Sequence, residues 1–104
     1  MNGVSLKFYT YELEKQGHHL LYEWLLEMAK KQGLPGGSVI RAIAGFGHHK
    51  KLHEEHFFEL AANVPVEIQF ILSKEQATQF LNLLKQENIH LFYTLSPIEY
   101  NTIP

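Results

Sequence analysis

Residues 36–72, GGSVIRAIAGFGHHKKLHEEHFFELAANVPVEIQFIL, decide the fold of this chain. Two glycines lead into SVIRAIAGF, an apolar, β-branched run interrupted only by Arg41, which predicts a strand buried on much of both faces. The stretch closes with VPVEIQFIL, in which Val66, Ile68, Phe70 and Leu72 alternate with Glu67 and Gln69; this is a further strand, with Pro65 restricted to its beginning. The two strands read as hairpin partners joined by a long connection, residues 48–62.

Upstream, VSLKFYT at residues 4–10 alternates Val4, Leu6 and Phe8 with polar positions, as a half-buried strand does. A polar connector follows. Leu21, Trp24, Leu25 and Met28 then recur at spacings of three and four. Lys30, Lys31 and Gly33 supply the cations and the terminator of an amphipathic helix. Downstream, Ser73 and Gln76 form a capping-box pattern, and Ala77, Phe80, Leu81 and Leu84 carry a second helix to about Asn88. The aromatic run HLFYTLSPIEY predicts a last strand, stopped or redirected at Pro97.

The order β-α-β-β-α-β predicts an α+β, ferredoxin-like sandwich: a four-stranded antiparallel sheet with two helices on one face. No helix remains for the opposite face. A sheet face carrying Tyr9, Arg41, Glu67 or Ile71 then meets water or another subunit.

Length and composition set the bounds. The 104 residues are expected to form one domain, 1–104, and 45% apolar with 19% charged residues is ordinary for a globular chain. The net charge of −2 leaves no basic footprint for nucleic acid, and the last aromatic run, Phe92 and Tyr93, reads as sheet packing rather than base stacking. The absence of cysteine removes disulfides, thiolate metal sites and thiol nucleophiles. No run is long enough for a membrane span and the amino terminus carries no signal pattern, so a cytoplasmic protein without membrane insertion is expected.

Two features carry chemistry. Four of the seven histidines, His48, His49, His53 and His56, fall in the connection. If the segment from Leu52 is helical, His49, His53 and His56 share one face and suit a transition metal. Lys50 and Lys51 beside them repel a cation and suit an anion instead. A solvated loop with histidines that titrate near neutral pH is the plain structural reading. The second feature is Gly45-Phe46-Gly47, where the backbone can approach a phosphate whose charge Arg41, Lys50 and Lys51 would neutralise. Neither a Walker A pattern nor GxGxxG is present, and the glycines equally suit a hairpin exit. Adjacent His53 and Glu54 do not face one another on a helix, and no serine stands in a nucleophile elbow, so no enzymatic activity is expected.

The stretches LYEWLLEMAKKQGLPGGSVIRAIAGFG and KKLHEEHFFELAANVPVEIQFI, with the helix and aromatic strand that follow, resemble the PII-like family classed as domain of unknown function 190. The resemblance covers nearly the whole chain. It implies a homotrimer of ferredoxin-like subunits whose clefts take a small ligand, with an adenine nucleotide the first to consider. Residues 48–62 would be the mobile loop that senses the ligand and engages a protein partner. Together, residues and resemblance give an expected ligand-binding set of Arg41, Gly45, Phe46, Gly47, His48, Lys50, Lys51 and His53. The chain departs from PII proteins in having KQENIHLFYTL where they carry a glycine- and lysine-rich phosphate loop, and in lacking a tyrosine within 48–62. The expectation is a non-enzymatic regulatory or signalling module that requires no cofactor. The alternative is a metal-responsive trimer using His49, His53 and His56, similar in architecture to the divalent-cation tolerance proteins.

Overall fold

In the computed structural model, which describes residues 1–46 and 63–104, the first alternating run forms β1 (Asn2–Tyr11), one of two inner strands. A small hairpin, β2 (Lys15–Gln16) and β3 (His19–Leu20), occupies the stretch expected to be a plain connector. It sets the start of α1 (Leu21–Lys31), because the Leu21 amide donates to the Glu14 carbonyl at 2.7 Å. Helix α1 buries Leu21, Leu25 and Ala29, while Trp24 and Met28 pack half-buried against the same core. Gly33, at φ +75°, ends the helix: its amide donates to Lys30 O at 3.0 Å, and that of Leu34 to Ala29 O at 3.1 Å. This is a left-handed cap with both returning bonds formed.

The second core strand is shorter and more exposed than its composition predicts. β4 spans only Ser38–Arg41, with Val39 half-buried and its other residues exposed, and residues 42–46 leave the sheet. The reason is position: among the described residues β4 is an edge strand, hydrogen-bonded only to β5 (Pro65–Leu72). A short apolar run does not reveal whether its strand lies at the centre or the edge of a sheet.

From β5 the chain enters α2 (Lys74–Gln86) through the expected capping box, in which Gln76 N donates to Ser73 Oγ at 3.1 Å and Ser73 N to Gln76 Oε1 at 3.0 Å. The helix closes at Asn88, whose φ is +61°; Asn88 N bonds Lys85 O and Ile89 N bonds Leu84 O, both at 3.1 Å. The last strand, β6 (Phe92–Glu99), runs through Pro97 rather than stopping there. It too is an edge strand, where a missing N–H is tolerated.

The sheet order β4-β5-β1-β6, antiparallel throughout, completes the ferredoxin-like arrangement. Val4, Leu6 and Phe8 of β1 and Val66, Ile68, Phe70 and Leu72 of β5 form one core with Ala77, Phe80 and Leu84 of α2 and the buried face of α1. Phe8, Phe70 and Phe80 meet edge to face, with ring centroids 5.5 to 6.2 Å apart. Such pairing contributes about 0.5–1.5 kcal/mol per pair beyond area burial.

No helix among the described residues covers the other sheet face. There Gln69 Nε2 donates to Ser5 Oγ at 3.2 Å, Lys7 Nζ lies 4.0 Å from Glu67 Oε1, and Tyr9 Oη is 3.2 Å from Thr94 Oγ1. Apolar groups border these contacts: Phe92 stacks obliquely on Tyr9 at 5.5 Å, and Ile40 and Ile71 are exposed.

Candidate functional site

Three chain segments meet where the long connection leaves and re-enters the sheet. β1 ends into Glu12 and Leu13, β4 into Ala42, and β5 begins after Asn63 and Val64. Backbone bonds hold them together: Glu12 N to Val64 O at 2.8 Å and Ala42 N to Pro65 O at 2.9 Å. Asn63 adds a side-chain brace, accepting the Leu13 amide on its Oδ1 at 2.9 Å. Ala42 on one flank of the connection and Val64 and Pro65 on the other are therefore held by backbone bonds.

Arg41 stands at this junction but not on the open sheet face where it was expected. Register pairs it with Val66, whose side chain enters the core, so Arg41 lies on the helix-bearing side at the sheet edge. Its guanidinium makes a two-pronged contact with Glu12, Nε to Oε1 at 3.2 Å and Nη2 to Oε2 at 2.5 Å. Hydrogen bonding to Glu12, then its negative charge, raises the Arg41 pKa above its already high ordinary value, so the cation persists at any working pH. The pair spans 29 residues of sequence, and no local pattern marks Glu12 as the partner. The guanidinium offers five donors, and Glu12 takes only part of them.

Beyond Arg41 the chain presents apolar groups to solvent. Ile43 is 98% exposed and Phe46 85%, and a Cβ on Gly45 would lie 3.7 Å from Pro65 Cγ, an ordinary contact. Arg41 thus ends the edge strand, and Gly45 and Phe46 are exposed on the segment that leaves it. Gly47, His48, Lys50, Lys51 and His53 lie outside the described residues, as do His49 and His56 of the alternative metal reading. Among the described residues no cluster of three or more histidines and carboxylates is placed to hold a metal ion. No helix there is long and apolar enough to cross a membrane.

Among the described residues this edge thus carries a tethered cation and exposed apolar groups beside the long connection. Comparison with known proteins gives a family. Residues 3–100 match the family model DUF190, described as uncharacterized ACR. A UPF0166 protein of Aquifex aeolicus (strain VF5) is 36% identical over 94 residues, covering 90% of this chain and 89% of the relative. A UPF0166 protein of Methanocaldococcus jannaschii is 30% identical over 76 residues, 73% of this chain and 69% of that one. The chain belongs to the DUF190 family.

Proposed function

We propose that this DUF190 protein is a non-enzymatic, PII-like regulatory module that binds a small anionic ligand, an adenine nucleotide being the first candidate, at clefts between subunits of a homotrimer. The supporting observation is the junction itself: a persistent cation, Arg41, beside solvent-facing Ile43, Gly45 and Phe46, at the fixed root of the long connection. An exposed aromatic ring suits a base, and a guanidinium suits a phosphate. Glu12 holds Arg41 in place, so a mononucleotide phosphate would use the donors that Glu12 leaves over. Residues 48–62 then report occupancy, through a ligand-dependent shift between conformations of different partner affinity.

Calorimetric titration with AMP, ADP, ATP and cyclic dinucleotides tests the reading. Saturable binding of at least one is expected, weakened about tenfold or more by Arg41→Ala through loss of a charge-assisted contact. Binding no tighter than millimolar for every nucleotide would sink it.

A further inference from the structure

Among the described residues the helix layer leaves the β6 edge of the sheet partly uncovered. No β6 residue enters the buried core. Tyr93 and Leu95 pair with Phe8 and Leu6 and share their helix-facing side, yet are 44% and 45% exposed. Here a cleft of about 430 Å³ opens between the last turns of α2, the connection after it and the start of β6. That volume lies within the range of small-ligand pockets, about 300–1,000 Å³. Its apolar lining includes Phe8, Leu84, Leu91 and Tyr93, and its polar groups include Lys85 and His90.

Charge gives the cleft a direction. Among the described residues no carboxylate lines it, while Lys85 supplies a cation and His90 a polar imidazole. The negative end of α2 points nearby, and three of its last carbonyls are engaged: Leu83 O and Leu84 O accept from Glu87 N, Lys85 O from Asn88 N, and Leu84 O also from Ile89 N. The last turn also carries Lys85, a cation that lines the cleft and can meet an incoming anion.

We infer that this cleft is a second ligand site, which takes a small amphipathic carboxylate with its apolar body against Phe8, Leu84, Leu91 and Tyr93 and its carboxylate at Lys85 beside His90. The site is separate from the Arg41 junction. β4 and β6 are opposite edges of the sheet, three strand spacings or about 14 Å apart. The inference does not rest on the nucleotide reading.

The full chain, titrated calorimetrically with decanoate, decanol and decyltrimethylammonium below their aggregation thresholds, separates the contributions. Decanoate is expected to bind saturably and decanol about five- to tenfold more weakly, since the alcohol lacks the charge-assisted contact. The ammonium compound should not bind. Lys85→Ala should bring decanoate down to the level of decanol and leave decanol unchanged. Amide shifts on adding decanoate should centre on residues 81–93, whereas nucleotide should move those around Arg41 and Gly45. Equal affinity for decanoate and decanol, indifference to Lys85→Ala, shifts centred elsewhere or no saturable binding of decanoate would each overturn the site.

Discussion

Two residues show how backbone geometry constrains single positions here. A Cβ on Gly37 would fall 2.5 Å from Phe70 Cε1 and 3.2 Å from Leu26 Cδ2, so the glycine lets the chain cross the Phe70 ring on its way into β4. Gly37→Ala must displace a core aromatic and is expected to destabilise by about 1–3 kcal/mol, the usual cost of overpacking, read as a lower midpoint in denaturant unfolding. Asn88 performs for α2 what Gly33 performs for α1, holding a left-handed φ of +61° while its amide returns to the helix. Asn88→Ala should cost about 1 kcal/mol, because alanine pays the left-handed penalty that asparagine reduces through local hydrogen bonding. Asn88→Gly should be close to neutral in the same unfolding measurement. This asparagine cap also explains how a connection without any glycine, KQENIHLFYTL, leaves the helix without strain in the following residues.

At the scale of elements, what the sequence reveals depends on whether the cause is local. The capping box of Ser73 and Gln76 is contained in four residues, and it forms as the pattern requires. Ser73→Ala removes the acceptor for Gln76 N and should lower stability by about 1 kcal/mol. Equilibrium unfolding checks this, and an unchanged midpoint would mean the box contributes nothing. The alternation in β1 and β5 was equally legible, since burial of one sheet face imposes period two. Legibility fails where the cause is remote. β4 reads as a core strand because Val39, Ile40, Ala42, Ile43 and Ala44 are apolar, but only the tertiary arrangement puts it at an edge and leaves Ile43 almost wholly in solvent. Pro97 reads as a stop or a redirection, and the edge strand runs through it. Phe92 and Tyr93 do meet sheet residues, Tyr9 and Phe8, but both remain exposed. The Arg41–Glu12 pair joins residues whose proximity only the β1-β5-β4 order creates. The α2–β6 cleft is missed for the same reason, because Phe8 and Tyr93 come together only across a strand pair.

For the whole molecule, the open sheet face poses the question of assembly. It has polar cross-links through its middle, Ser5 to Gln69 and Lys7 to Glu67, and apolar groups toward both sides, Ile40 near β4 and Tyr9 with Phe92 near β6. A sheet face of this composition can meet water, but exposed Ile40, Ile71 and Phe92 gain by desolvation against a second copy, at about 25 cal/mol per Å² of apolar area removed from water. A chain of this length also buries a modest share of its surface alone, which favours burial between subunits. In the proposed homotrimer light scattering at low micromolar concentration should give about three times 12.1 kDa. Ile71→Glu combined with Phe92→Glu places two charges on that face, outside the core, and should shift the scattering mass toward 12.1 kDa while the far-ultraviolet circular dichroism stays unchanged. If the unaltered chain scatters as a monomer, the subunit clefts do not exist and the nucleotide reading loses its site. The α2–β6 cleft, lined entirely from within one chain, would survive that result.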